Sequence, residues 1–377
     1  AGIIDQRGFS IKLFVLCLGG NRISGDMGIV GHSKRIVVFR RGSIGDGVVS
    51  LPLLAAIRDR WPDHDILLLT NEPVASNAAP MMQLLDGEPG IAGYLAFPAG
   101  LGLASGFGLL RRLRRAGAER LVYLSEPNGF LSVCRDWLFF RICAGLAVTG
   151  LPVSSSDRLY LEQAEGGWER ETARLMRVCG FSGHEGQSLH HLNLHDDEKE
   201  TAQQVRRAEI GAERFIAFSP VGKTADKDWG DDRWQEVLSA LTSAFPDLAL
   251  VLIGAASDRE NLAEYGRHWT GPVANLCGKL SPRLSAAAMM GADLFLGVDS
   301  GPMHLAASVD VPCVAVFSAR AKPGVWYPAG AGHKVHYPQS YAADVPAVPG
   351  AHDGGNSIRE IAAEDVIASA CDLLGRR

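Results

Sequence analysis

The sequence predicts an α/β protein of two halves, each a doubly wound parallel sheet, facing a central cleft. Three observations carry that expectation. Short apolar or β-branched runs alternate with amphipathic stretches on both sides of an irregular middle, a rhythm that implies parallel sheets. Each half also holds one strand that enters a helix through a turn bearing Gly and Asp, at residues 40–47 and 299–302. Finally, 377 residues are enough for two separate cores.

In chain order, residues 1–34 match no packed element. Met27 is the expected natural start, with residues 1–26 upstream of it. The first strand is 35–39 (RIVVF), residues 40–47 (RRGSIGDG) form a glycine-rich turn, and 48–61 read as an amphipathic helix stopped at Pro62. A strand at 66–70 completes a βαβ unit. Gly42, Gly45 and Gly47 give G-x-x-G-x-G, not the G-x-G-x-x-G of a dinucleotide turn. Asp46 would repel a pyrophosphate there. A carboxylate at a helix start suits either proton acceptance from a hydroxyl or simple capping, and both roles stay open.

Further strands are expected at 91–97 and 120–125, with helices at 103–116 and 130–145. Residues 151–196 break the rhythm and mark the crossing between halves. After a helix at 196–209, strands follow at 215–219, 248–253, 274–277, 294–298 and 314–317. The expected division is therefore 35–205, 206–355 and a terminal helical segment, 356–377, packing back toward the first half.

The strand at 294–298 runs into Asp299-Ser300-Gly301-Pro302-Met303-His304. Asp299 or Ser300 can cap a helix there and Pro302 suits its first turn. Free amides and the positive helix end make a seat for phosphate. Asp299 is foreign to a pure anion site, but it can hold sugar hydroxyls. Phosphate with sugar points to a nucleotide-sugar.

Composition excludes several classes. A formal net charge of −5 lacks the basic footprint of a nucleic-acid binder. Seven cysteines without a C-x-x-C pair predict a reduced, cytoplasmic chain without a structural metal. His184, His190, His191 and His195 lack ligand spacing and read as surface loop residues. The longest apolar run near the start, residues 11–18, is too short to span a bilayer and lacks a cleavage pattern.

Residues 35–54, continuing to Trp61-Pro62, resemble the opening of the glycosyltransferase family 9 heptosyltransferases, with their Ser-x-Gly-Asp turn. Residues 297–307 (GVDSGPMHLAA) are similar to that family's donor-site Asp-Thr/Ser-Gly-x-x-His-Leu, and 227–234 (KDWGDDRW) to its Lys-x-Trp-Pro segment. Three motifs in order imply the GT-B fold and an inverting, metal-independent sugar transfer. By that resemblance the donor is a nucleotide-sugar, ADP-heptose, and the acceptor a lipopolysaccharide core or related anionic glycolipid. No cofactor is implied. Asp46 becomes the base and Lys227 the cation on the leaving diphosphate. Asp299, Ser300, Gly301, Pro302, Met303 and His304, with Lys223 and Thr224, become the donor side, and Ser43, Gly45 and Gly47 the acceptor-side loop.

Two departures from the family pattern, Ser219-Pro-Val-Gly222 and Phe317-Ser-Ala-Arg320, fall on loops expected near the donor. Trp229 and Trp234 read as packing under the Lys227 loop. Arg111, Arg114 and Arg115 share a helical face, with Leu103, Phe107 and Leu110 nearby. They suggest either a solvated basic face or contact with an acidic glycolipid at the cytoplasmic face of the inner membrane. A Rossmann oxidoreductase and a non-catalytic sugar-nucleotide scaffold are the competing classes.

Overall fold

The computed structural model describes residues 34–72, 79–97, 103–126, 129–164, 167–181, 190–347 and 355–376. The expectations for Met27, residues 1–33 and His184 lie outside the described residues. From Lys34 onward the chain is one compact unit built on two parallel sheets.

The first sheet holds β1 (Lys34–Phe39), β2 (His64–Asn71), β3 (Ile91–Phe97), β4 (Ala118–Tyr123) and β5 (Ala147–Thr149), in the order β3-β2-β1-β4-β5. Its helices are α1 (Ile44–Arg60), α2 (Met82–Leu85), α3 (Leu103–Arg115), α4 (Phe130–Trp137) and α5 (Glu171–Cys179). The second sheet holds β6 (Phe215–Ser219), β7 (Ala249–Leu252), β8 (Val273–Asn275), β9 (Leu294–Val298), β10 (Cys313–Val316) and β11 (Lys334–His336), in the order β11-β10-β9-β6-β7-β8. With it go α6 (Asp196–Val205), α7 (Asp231–Ala244), α8 (Arg259–Gly266), α9 (Pro282–Met289), α10 (Gly301–Ala307) and α11 (Ala363–Gly375).

Ile36, Val37 and Val38 are fully buried, as are Ile66, Leu67 and Leu69. Such unbroken apolar runs belong to parallel strands covered on both faces. Strand order reverses between β1 and β4 in one sheet and between β6 and β9 in the other. Ligands of open α/β sheets bind outside the carboxyl ends of the strands at such switch points. The β1–α1 and β9–α10 turns both lie there.

The structure corrects several expectations. Helix α1 starts at Ile44, not 48, because Asp46 at its third position accepts from the Ser43 amide and closes a capping box. Gly45 and Gly47 therefore sit inside the first helical turn. The 130–145 helix is α-helical only to Trp137 and continues as a π-helix from Leu138 to Cys143. Helix α6 packs on α9, so the second half begins before residue 206. The terminal helix α11 does not return to the first half. It packs on α7 and the second sheet, burying Val366, Ala370, Leu373 and Leu374 in that core. The edge strands β5 and β11 went unread, since three residues are too few to show a period.

Candidate active site

The starts of α1 and α10, one from each half, meet. A Cβ on Gly45 would stand 2.9 Å from His304 Cδ2, and one on Gly301 would stand 3.3 Å from Ile44 Cβ. Glycine at both positions lets the two helix starts close on each other. Their positive dipole ends and first-turn amides thus share one cleft.

On the first-half side, Asp46 has two partners. Its Oδ2 accepts from the Ser43 amide at 2.8 Å and its Oδ1 from Arg40 Nη2 at 3.0 Å. Gly42 makes this possible: with φ at +131°, a side chain there would lie 2.2 Å from the Asp46 Cγ. Arg40 is buried and also reaches Glu171 Oε1 at 3.3 Å, while Glu171 takes two bonds from Arg174 at 2.7 and 2.9 Å. Burial pushes the Glu171 carboxyl up, but Arg174 and Arg40 outweigh it and hold the carboxyl below its ordinary value. The result is an alternating chain of charge, Asp46, Arg40, Glu171, Arg174, behind the helix start.

Glu126 follows β4 on the same rim. Arg41 spans the gap, donating to Ser125 Oγ at 2.9 Å and to the Glu126 carbonyl at 3.0 Å. Desolvation, then the nearby Glu171 and Asp46 charges, pushes the Glu126 carboxyl up to about 7 against the pull of Arg40 and Arg174.

On the second-half side, Lys227 Nζ donates to both the carbonyl and Oδ2 of Asp299 at 2.7 Å. Gly222 admits the lysine side chain, since a Cβ there would meet Lys227 Cβ at 2.4 Å. His304 Nε2 lies 3.9 Å from Asp299 Oδ1. Burial holds the imidazole below its ordinary pKa, with Asp299 opposing, so it is neutral at pH 7. Ser300 caps α10 backbone-first, and its Oγ is buried without a hydrogen-bond partner among the described residues. Lys223 is exposed in the same loop. Its ammonium is lowered by desolvation, raised by Asp46 and lowered by Lys227, so it lies within electrostatic reach of both sides.

Of the residues expected at the site, Asp46, Gly45, Lys227, Asp299, Ser300, Gly301 and His304 come together. Ser43 and Gly47 belong to the helix cap rather than a loop, and Gly47 packs against Leu84 and Met81. Met303 is wholly buried in the core, and Pro302 has no amide to offer. Thr224 caps the short turn that carries Lys227. Arg111, Arg114 and Arg115 lie on α3, where Arg114 donates to the Cys143 carbonyl. The loop at 317–320 does not stand free: Ser318 Oγ and Arg320 Nη1 fasten Asp226, beside Lys227, at 3.0 and 3.4 Å. Trp229 and Trp234 are buried against each other under that loop.

Arg40, Glu126 and Glu171 were not read from the sequence. Arg40 alone left a signal, its place in the turn next to Asp46. Among the described residues no group of three His, Cys, Asp or Glu could hold a metal ion, and no helix is long and apolar enough to cross a membrane.

Known proteins resemble this chain in sequence and in fold. The model of glycosyltransferase family 9 (heptosyltransferase) matches residues 169–341, which include the Lys227 and Asp299 segments. Lipopolysaccharide heptosyltransferase 3 of Escherichia coli K12 is 24% identical over 353 residues, covering 88% of this chain and 95% of that protein. A family 9 glycosyl transferase from Veillonella parvula superposes with a TM-score of 0.67 at 20% identity, over 93% of this chain and 99% of that one. The E. coli heptosyltransferase WaaC with ADP gives 0.59 at 16% identity, over 90% and 99%. With two facing parallel-sheet halves and this run of matches, the chain has the GT-B fold and is a glycosyltransferase similar to family 9.

Proposed function

We propose that the protein transfers heptose from ADP-heptose to a hydroxyl of a lipopolysaccharide core or related glycan, with inversion and without a metal ion. The observation that carries this reading is the meeting of α1 and α10, with the Asp46 carboxylate on one helix start and the Lys227–Asp299 pair beside the other. The E. coli relative described as a lipopolysaccharide heptosyltransferase and the structural neighbour holding ADP support the acceptor and the nucleotide.

In this mechanism the acceptor oxygen attacks the anomeric carbon as its bond to the diphosphate breaks. The proton passes to Asp46. Arg40 and the Ser43 amide hold the carboxylate in place, and the proton moves late, when attack has made the hydroxyl acidic. The departing diphosphate collects negative charge, which Lys227, Ser300 Oγ and the first-turn amides of α10 neutralise. Lys227 then trades part of its contact with Asp299 for phosphate oxygens, freeing Asp299 for sugar hydroxyls. The acceptor side faces the cytoplasmic surface of the inner membrane.

Asp46→Asn tests this assignment. Donor affinity should stay near wild type while transfer falls by roughly 10²-fold or more. Near-normal turnover would reduce Asp46 to a helix cap. A melting-temperature panel of ADP-, UDP-, GDP- and CMP-sugars with NAD(P) tests the donor. Stabilisation by NAD(P) alone would favour an oxidoreductase. Retained activity in EDTA is expected; loss restored by Mg²⁺ or Mn²⁺ would overturn metal independence.

A further inference from the structure

Helix α4 and its π-helical continuation leave most of their large apolar side chains uncovered. Phe130, Leu131, Trp137, Leu138 and Ile142 are 55%, 84%, 45%, 53% and 58% exposed. Successive positions 130, 131, 137 and 138 fall on one side of the helix at its own period. Val133 and Phe140 face inward, and Phe140 joins the core under the first sheet. An exposed apolar stripe of this size on a globular chain marks a contact surface.

The rim of this stripe is cationic. Helix α3 lies beside it, tied by Arg114 to the Cys143 carbonyl at 2.9 Å. It exposes Arg111, Arg112, Arg114 and Arg115, with Phe107 71% exposed among them. Arg135 and Arg141 stand on the apolar helix itself, and Arg158 covers the Phe130 ring at 5.5 Å. Across α3, α4 and the π-helix the only carboxylate is Asp136, already engaged by Tyr123 and Arg135 at 2.8 and 2.7 Å. The whole chain is net acidic at −5, so the basic rim is a local feature. A second copy of the same face would oppose arginine with arginine. An anionic lipid surface instead complements both parts: guanidinium groups pair with phosphates, while Trp137 and the leucines enter the headgroup boundary.

We propose that α4, its π-helical continuation and the arginine face of α3 form a docking surface for a bilayer rich in anionic lipid. Because α4 follows β4 on the rim that carries Glu126 and Asp46, docking turns the acceptor side of the cleft toward the bilayer. This deepens the reading of a lipid-borne acceptor, but it concerns a contact that can be measured without donor or acceptor.

The test is flotation of the full chain with vesicles of phosphatidylglycerol and phosphatidylethanolamine against vesicles of phosphatidylcholine alone. Binding to the anionic vesicles is expected and should weaken at high salt. Leu131→Ser with Leu138→Ser should lower partitioning by at least roughly 10-fold, with unchanged melting temperature and unchanged transfer to a water-soluble acceptor fragment. Arg111→Gln with Arg115→Gln should weaken binding to the anionic vesicles specifically. Equal binding to both vesicle types, or binding indifferent to the leucine variant, would overturn the proposal. So would a wild-type dimer in sedimentation that the leucine variant dissociates, because a second copy would then be the occupant. Failure of transfer with vesicle binding intact would instead count against the proposed function alone.

Discussion

The two helix starts that meet in the cleft carry similar acidic groups under different constraint. Asp46 is fixed from within its own turn by the Ser43 amide and from behind by Arg40, which is buried and continues into Glu171 and Arg174. Asp299 is held across the sheet by a lysine that arrives on a separate loop, 72 residues away in sequence. One carboxylate rests on a local cap backed by buried charge. The other rests on a pair whose members are 17% and 15% exposed and whose cation a ligand can take over. The first half thus supplies a fixed position, and the second an exchangeable charge.

Removing Glu171 strikes the fixed side hardest. Glu171→Ala leaves Arg174 and half of Arg40 uncompensated in the interior, so unfolding free energy should drop by about 3 to 5 kcal/mol. A loss below about 1 kcal/mol in denaturant titration would mean the cap alone positions Asp46.

Lys227→Ala strikes the exchangeable side. Transfer should fall by roughly 10²-fold, or about 2.7 kcal/mol at the barrier, while stability changes little because the pair is partly hydrated. A large fall in melting temperature with normal turnover would invert the comparison. Gly42→Ala should cost about 1 to 3 kcal/mol from backbone strain, and turnover should fall as well because the new methyl displaces Asp46.

The smallest effect is a pH dependence at Glu126. Its folded pKa of about 7 lies above the ordinary 4.5. The stability it contributes is therefore complete below about pH 4.5 and is lost as pH rises through 7. Glu126→Gln stays neutral, so its stability relative to wild type should grow between pH 5 and pH 8. A constant difference over that range would show that the carboxyl titrates normally.

The sequence determined the alternation of strands and helices, because buried parallel strands need unbroken apolar runs such as 35–39 and 294–298. It also determined the two turns, since Gly, Ser, Asp and Pro act through local backbone geometry that a few residues can specify. Asp46, Lys227 and Asp299 were legible for that reason and through the family motifs. Tertiary structure alone decided what those groups touch. The Arg40–Glu171 contact joins residues 131 apart, and Arg283 reaches Glu88 and the Leu84 carbonyl across 195 and 199 residues. No local pattern encodes such pairs, because an ion pair depends on distance in space and on the burial that strengthens it. The start of α1 was misplaced for the same kind of reason: three glycines in eight residues read as a loop, and only the completed capping box and the packing of Gly45 on His304 and Gly47 on Leu84 make helix the better state. The resting place of α11 was also settled in three dimensions, since an amphipathic stripe states that it will be covered and not by which sheet.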